Sequence, residues 1–172
     1  EHDEKSQCIL ITNNESFALK VKEKIKLLSS QLVKKNIINK SLGTFGAIII
    51  MNNFNNIAEI IDKIAPEHLH LQNKKAEAIF KKVKNAGAIF LGAYSPESYG
   101  DYIVGTNHIL PTSGSAKYSS GLGVLDFMKR TSYVRLNKKS FEKLSQNVSD
   151  MASIENLDGH KLSVTIRQTD KK

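Results

Sequence analysis

The alternation of short apolar runs with stretches of helical periodicity, over residues 7–91, constrains the fold of this chain more than any other sequence feature. Four apolar runs have the length and composition of buried strands, and they cover residues 7–12, 45–51, 68–72 and 88–91. Strands that alternate with helices predict an α/β fold with a parallel sheet. In such sheets, ligands bind beyond the carboxyl ends of the strands.

Three helices are predicted between these strands. The first follows an N-cap at Asn13 or Asn14, and its apolar residues recur at helical spacing: Phe17, Val21, Ile25, Leu28 and Leu32. The second covers residues 57–64 and is stopped by Pro66, because proline disfavours helical backbone in the residue before it. The third covers residues 76–84, with a C-cap glycine at position 87.

The pattern changes after residue 91. Residues 92–123 are rich in Gly, Ser, Tyr and Pro, and a loop of this length inside a compact domain is usually functional or disordered. This stretch is not of low complexity, and it carries aromatic and polar side chains: Tyr94, Tyr99, Asp101, Tyr102, Asn107, His108 and Tyr118. We therefore expect an ordered, functional loop.

The tail from about residue 125 is again different. An amphipathic stripe predicts a helix over residues 139–154, formed by Phe141, Leu144, Val148, Met151 and Ala152. Gly159 is expected to break the chain before a last short helix over residues 160–167. The tail has too few apolar residues to fold alone, so we expect it to dock on the sheet domain or on another subunit.

Composition excludes several classes of function. The net charge of +8 comes mostly from scattered lysines, and only three arginines could make bidentate contacts, so we expect no nucleic-acid partner. No apolar run approaches the ~20 residues that span a bilayer, so we expect no membrane association. The single Cys8 fits a reducing cytoplasm. Because Cys8 falls in a predicted buried strand and no Gly-x-Ser-x-Gly motif exists, a nucleophilic hydrolase is disfavoured.

A carboxylate and an imidazole stand side by side in Pro66-Glu67-His68. Imidazole titrates near neutral pH, and a neighbouring carboxylate can activate water, so the pair is suited to proton transfer. In a regular strand the two side chains point to opposite faces, and they can share a pocket only where the backbone turns. His68 and His70 are expected on one strand face and two leucines on the other. The alternative is a solvated sheet edge without chemistry.

A metal site could be assembled from dispersed ligands, since catalytic zinc takes imidazole nitrogen and carboxylate oxygen. The histidines are His2, His68, His70, His108 and His160, and the oxygen candidates are Glu67, Asp101, Glu155 and Asp158. No close spacing motif joins them, and each has a structural alternative. His2 lies near a terminus, and His70 can have a structural role. Asp101 can be a turn residue, and Glu155 and His160 can stand at helix ends.

Several blocks of residues together resemble one enzyme family. They are Ala65-Pro66-Glu67-His68-Leu69, Asn85-Ala86-Gly87-Ala88-Ile89-Phe90-Leu91-Gly92, Ser95-Pro96-Glu97-Ser98, Gly100-Asp101-Tyr102, Gly105-Thr106-Asn107-His108-Ile109-Leu110-Pro111-Thr112, Asp126-Phe127-Met128-Lys129-Arg130 and Gly159-His160. In order and spacing they resemble the C-terminal part of histidinol dehydrogenase. The resemblance implies an incomplete Rossmann-like parallel sheet flanked by helices. Residues 1–124 would be the later stretch of that main domain, and residues 125–172 a C-terminal helical tail.

The resemblance also implies chemistry. The family oxidises L-histidinol through histidinal to L-histidine with NAD and Zn²⁺. Glu67 and His68 match the catalytic pair, in which His68 takes the hydroxyl proton and Glu67 activates water at the aldehyde stage. The zinc ligands of the family match His2, Asp101 and His160. The substrate-binding positions match His2, His68, Asp101, His108, Glu155 and His160.

The chain departs from the family pattern in what it contains. A zinc-binding glutamine would stand just before Glu1, and the NAD-binding domain would lie upstream, so no cofactor-binding residue is assigned here. Family dimers place the tail in the partner's site, which would make Glu155 and His160 act in trans in a homodimer. Two readings stay open: a piece of an active zinc- and NAD-dependent dehydrogenase, or a truncated chain that is inactive alone.

Overall fold

The computed structural model describes residues 1–169, and these divide into two compact units, Glu1–Gly123 and the residues from Val124 on. The first unit contains β1 (Ile9–Thr12), α1 (Glu15–Ser29), α2 (Lys35–Phe45), β2 (Ala47–Ile50), α3 (Ile57–Ile64), β3 (His68–Leu71), α4 (Ala76–Phe80), β4 (Ala88–Leu91) and α5 (Glu97–Tyr102). The second contains α6 (Lys138–Ile154) and α7 (Asp158–Thr169). Single 3-10 turns occur at Ser115–Lys117 and Val124–Phe127.

All four predicted strands form, and they pair in parallel. In the described residues they make two sheets of two strands each, β1 with β2 and β3 with β4. Ile9 is in register with Ala47, and His68 is in register with Ala88. The α/β class is confirmed, and the sheet consists of two hydrogen-bonded pairs where the alternation suggested one continuous sheet.

The sequence prediction missed α2. Strand β2 was expected to begin at residue 45, but α2 extends to Phe45, and Gly46 separates it from β2. The amide of Gly46 donates to the carbonyl of Leu42 and closes the last helical turn. Phe45 is apolar and directly precedes the apolar strand, so hydrophobicity alone does not show where the helix stops.

The turn between α3 and β3 positions the Glu67-His68 pair. Helix α3 ends at Ile64, and fully buried Ala65 takes a left-handed conformation with φ of 50°. The amide of Ala65 donates to the carbonyl of Ile61 at 2.7 Å. Because Pro66 disfavours continued helix at the residue before it, the chain leaves α3 here and enters β3, as the sequence predicted.

The core of the first unit lies between α3, α4 and the apolar face of β3. Its buried members are Ile57, Ile61, Leu71, Ala76 and Ile79. Leu69, together with apolar residues of β1 and β4, packs against this cluster. The alternation predicted in β3 is thus confirmed, because its leucines face the core and leave the opposite face to its histidines.

In the second unit, α6 begins after Asn137, whose side chain accepts a hydrogen bond from the Ser140 amide. The buried residues of α6 are small: Ser145, Ser149 and Ala152. Three larger residues of the predicted stripe are exposed, with Leu144 at 43%, Val148 at 46% and Met151 at 58%, whereas Phe141 is half-buried. The helix was predicted correctly, but its closest packing uses the small-residue face.

Two further expectations were wrong. Gly159 does not interrupt the helical structure but lies within α7. The helices α6 and α7 are separated at Asn156, which has φ of 57°. Asparagine tolerates this left-handed conformation better than most residues. Cys8 is exposed and precedes β1, so it is not buried within a strand.

None of the helices in residues 1–169 combines the length and the apolar composition that crossing a membrane requires.

Candidate functional site

His68 and Asp101 are the predicted site residues that the first unit brings into contact. His68 opens β3 and Asp101 lies in α5, and the His68 Nε2 atom is 3.5 Å from the Asp101 Oδ1 atom. Both side chains are largely covered, with 27% and 18% of their surface exposed. The pair lies at the amino end of β3, whereas ligands of parallel sheets were expected at the carboxyl ends.

The His68 nitrogen has an unused capacity for hydrogen bonding. Its Nε2 atom is buried and has no hydrogen-bond partner among the described residues. The distance to Asp101 counts as an ion-pair contact for a protonated imidazole, but 3.5 Å is longer than the 2.7–3.2 Å of a good N–H···O bond. At this separation no hydrogen bond forms between the two groups. The imidazole and the carboxylate therefore face each other at a covered polar position.

The ring of Phe90 supports the histidine face of β3. Its centroid lies 6.0 Å from that of His68 and 6.5 Å from that of His70, the second in an edge-on arrangement. His70 Nε2 lies 2.7 Å from the Gly92 carbonyl oxygen, and its Nδ1 lies 3.2 Å from the Gln72 amide nitrogen. His70 thus has partners at both nitrogens, which agrees with a structural role.

The backbone of Glu67 is held firmly at the entry to β3. Its carbonyl accepts from the Ala88 amide at 2.8 Å, and the Pro66 carbonyl accepts from the Gly87 amide at 2.9 Å. A Cβ atom at position 87 would lie 2.6 Å from the Glu67 carbonyl oxygen. The glycine therefore permits close approach of the two chains beside the half-buried Glu67, and it is not the C-cap that the sequence suggested.

Asp62 is a supporting residue that sequence reasoning missed. One carboxylate oxygen, Oδ1, accepts from the backbone amides of Lys84 and Asn85, both at 2.8 Å. The Asn85 side chain in turn donates to the Asp62 carbonyl at 3.2 Å. These bonds anchor the segment that leads into Gly87 and β4. The available signal was an aspartate on α3 and an asparagine just before Ala86-Gly87, but pairing them requires the tertiary fold.

The segment that follows β4 was predicted to be a loop, but it contains α5 and a 3-10 turn at Ser115–Lys117. Within it, the Thr106 hydroxyl donates to the Gly100 carbonyl at 2.8 Å, and the Asn107 side-chain amide donates to the Leu122 carbonyl at 2.8 Å. The loop and β4 enclose a cleft of about 560 Å³, lined in part by Phe90 and Tyr99. These bonds hold the segment that carries Asp101.

The remaining predicted site residues are exposed. His2 and His108 lie in irregular segments of the first unit. Glu155 caps the carboxyl end of α6, and His160 lies in the first turn of α7, both in the second unit. Within residues 1–169, no group of three His, Cys, Asp or Glu side chains converges on a metal position. The ligand set implied by the resemblance stays a prediction.

Comparison with known proteins decides the family. The model of the histidinol dehydrogenase family matches residues 1–168, nearly the whole chain. The chain belongs to the histidinol dehydrogenase family. The resemblance seen in the sequence blocks is thus confirmed.

Individual members of the histidinol dehydrogenase family agree with this assignment. Histidinol dehydrogenase of Aquifex aeolicus is 42% identical over 170 residues, which cover 99% of this chain and 40% of that protein. The Brucella suis enzyme is 42% identical over 167 residues, or 97% of this chain and 39% of its own length. The crystal structure of histidinol dehydrogenase from Elizabethkingia anophelis superposes with a TM-score of 0.86 at 33% identity, covering 97% of this chain and 38% of the other.

The chain therefore spans about two-fifths of the length of the histidinol dehydrogenases it matches. The structural match confirms an α/β fold with short parallel sheets and C-terminal helices, common to this chain and that enzyme. The family is one of oxidoreductases in histidine biosynthesis.

Proposed function

We propose that this chain carries the proton-transfer pair and part of the metal site of an enzyme that oxidises L-histidinol through histidinal to L-histidine. The observation that supports this most directly is the contact of His68 with Asp101, in a chain whose family is histidinol dehydrogenase. A reducing cytoplasm is the proposed compartment, since the single Cys8 is a free, exposed thiol.

His68 is the proposed base for the alcohol. A neutral imidazole with its proton on Nδ1 can accept a proton at Nε2, the nitrogen that has no hydrogen-bond partner within residues 1–169. The Asp101 carboxylate is 3.5 Å from that nitrogen, so it lies beside the atom that would take the proton. The ring of Phe90 lies beside the imidazole, with 6.0 Å between the two ring centroids.

Glu67 is the proposed base for the aldehyde stage. Oxidation of an aldehyde to an acid requires the addition of water, and a carboxylate can take a proton from that water. Glu67 is half-buried, and its backbone is held by the pairing of β3 with β4. Glu67 and His68, adjacent at the start of β3, would then each act as the base in one of the two successive oxidations.

The chemistry of the proposed metal ligands fits zinc. His2, Asp101 and His160 offer two imidazole nitrogens and one carboxylate oxygen, which is a donor set that catalytic zinc accepts. When bound, Zn²⁺ would polarise the alcohol oxygen and NAD would accept the hydride. His108 and Glu155 are the proposed further contacts to substrate. Of these residues, Asp101 is the one that lies against His68.

A homodimer is the proposed assembly, with Glu155 and His160 reaching the site of the second subunit. The exposed apolar residues of α6 support an association of this kind, because Leu144, Val148 and Met151 form a stripe along one helix face. Sedimentation of the purified chain tests the assembly, and a monomer at micromolar concentration would contradict it.

The second candidate is a chain that binds ligands but has no turnover by itself. It is favoured by the share of the relatives that the chain covers, which is about two-fifths of their length. We expect no NADH formation from L-histidinol and NAD by the 172-residue chain with added Zn²⁺. Clear turnover would establish the first candidate for this chain alone.

Binding measurements test the site itself. We expect the chain to bind Zn²⁺ in competition with a chromophoric chelator, and to bind L-histidinol more tightly when Zn²⁺ is present. Asp101→Asn should weaken Zn²⁺ binding by about tenfold or more, because it replaces a charged ligand. His68→Asn should weaken L-histidinol binding while Zn²⁺ binding changes little.

Glu97→Gln is the matched control for Asp101→Asn. It removes one carboxylate from the same helix, α5, but its side chain is exposed and lies in the first turn. Zn²⁺ affinity that falls equally in both variants would reflect a general loss of negative charge and would contradict the assignment of Asp101.

A further inference from the structure

Gly100, directly before Asp101, lies against the ring of Phe90. A Cβ atom built at Gly100 would be 2.7 Å from both the Cε1 and the Cζ atoms of Phe90. Gly100 is buried within α5, and its φ lies outside the left-handed region. Glycine inside a helix costs about 1 kcal/mol relative to alanine. The structure therefore uses glycine here for space, not for backbone conformation.

Phe90 touches α5 on one side and the histidines of β3 on the other. It is in register with His70, and its ring lies beside those of both His68 and His70. From the loop side, the Thr106 hydroxyl holds the Gly100 carbonyl at 2.8 Å. The ring thus lies between the strand that carries one member of the site pair and the helix that carries the other.

We propose that Gly100 and Phe90 are positioning residues that set the separation between the Asp101 carboxylate and the His68 imidazole. The thickness of the aromatic ring and the missing Cβ atom together fix how closely α5 approaches β3. The proposal deepens the proposed function and rests on it for the chemistry of the pair. The spacing itself can be measured without turnover.

Gly100→Ala is the direct test. Relief of the 2.7 Å contacts to an ordinary carbon–carbon distance of about 3.5–4.0 Å requires a shift of about 1 Å. Both contacted atoms belong to the Phe90 side chain, so the proposal requires that α5 takes this shift and not the ring. We expect the distance from His68 Nε2 to Asp101 Oδ1 to lengthen from 3.5 Å by a similar amount in a crystal structure of the variant. Zn²⁺ affinity should fall by about 10- to 100-fold, as for other changes that displace a metal ligand indirectly.

The double variant Phe90→Leu/Gly100→Ala separates positioning from general damage. Leucine lacks the two ring atoms that the new Cβ would meet, so the double variant should regain the parent separation and most of the lost affinity. Phe90→Leu alone is the reference for this rescue. Gly43→Ala is the matched control, since Gly43 lies within α2 with nothing within 4 Å of its built Cβ, and it should leave both readouts unchanged.

Each outcome decides the proposal. It is overturned if Gly100→Ala keeps the 3.5 Å separation, or if the double variant folds with a lengthened one. If Gly100→Ala does not fold, the double variant must fold and keep the parent separation, and its failure to fold would also overturn the proposal. If neither parent nor variants bind Zn²⁺, the zinc assignment of the proposed function fails while the distances still decide the positioning role.

Discussion

Gly87→Ala should damage the entry to the paired strands β3 and β4 more than its size suggests. The new Cβ atom would lie 2.6 Å from the Glu67 carbonyl oxygen, 3.3 Å from the carbonyl carbon and 3.2 Å from Cδ of Pro111. The closest of these atoms belongs to the backbone, which cannot move away by a change of rotamer. The same carbonyl accepts the Ala88 amide at 2.8 Å, so a shift also strains the first hydrogen bond of the pair.

The expected loss can be estimated from opposing effects. Overpacking of a tight site costs about 1–3 kcal/mol. The stiffer alanine restricts the unfolded chain and recovers about 0.4–1 kcal/mol. The net loss in the free energy of unfolding should thus be about 1–2 kcal/mol. With an m value of about 2 kcal/mol per molar urea, the midpoint should fall by about 0.5–1 M.

Urea unfolding followed by circular dichroism provides the assay, with Gly43→Ala as the control. Both variants add one methyl group at a glycine, but Gly43 lies in an exposed helical position with open space around it. The control should gain about 0.5–1 kcal/mol from the better helix propensity of alanine. The two substitutions are therefore expected to move the midpoint in opposite directions.

A midpoint for Gly87→Ala at or above that of the parent chain would refute the reasoning. It would mean that the strand pair tolerates displacement at Glu67 without cost. The close approach of Gly87 to the proposed catalytic glutamate would then not be a constraint on the site.

Two further predictions concern residues outside the proposed chemistry. Asp62→Ala should lower the free energy of unfolding by about 2 kcal/mol, because it removes a carboxylate that accepts hydrogen bonds from two backbone amides. Glu59→Ala, on the exposed side of the same helix, should change that free energy by less than about 0.5 kcal/mol. Equal effects of the two variants in urea unfolding would contradict the anchoring role of Asp62. Ser145→Leu should cost about 1–3 kcal/mol through overpacking at a buried position of α6, and exposed Leu144→Gln should cost far less. A thermal melt that ranks these two variants in reverse order would show that the small-residue face is not the packed one.

The elements that the sequence predicted correctly have strong local signals. The four apolar runs became strands, and Pro66 ended α3 through a steric effect on its neighbour that needs no tertiary information. The N-cap at Asn14 is also local, since its side chain accepts from the Phe17 amide three residues on. Failures occurred where local signals conflict, as at Phe45, where an apolar helix end joins an apolar strand.

The candidate site shows the same division. Glu67 and His68 stood out because a carboxylate and an imidazole are adjacent, and family resemblance gave them roles. Their supporting residues gave no such signal. Asp62 accepts a hydrogen bond from the Lys84 amide, 22 residues further along the chain. Gly100 lies inside a short helix, and the space that requires glycine there is limited by the ring of Phe90, ten residues earlier.

Sequence patterns were sufficient to predict the α/β class, the parallel strands, the family and the proton-transfer candidates. Hydrophobic periodicity, the steric effect of proline and the order of motifs are all local properties of the chain. The tertiary structure decided which of the candidates meet. It placed Asp101 of α5 at 3.5 Å from His68 of β3, separated by 33 positions in sequence, and no residue in the described part of the chain gives the imidazole Nε2 a hydrogen bond. That contact joins residues of two separate elements, so no pattern within either element can reveal it.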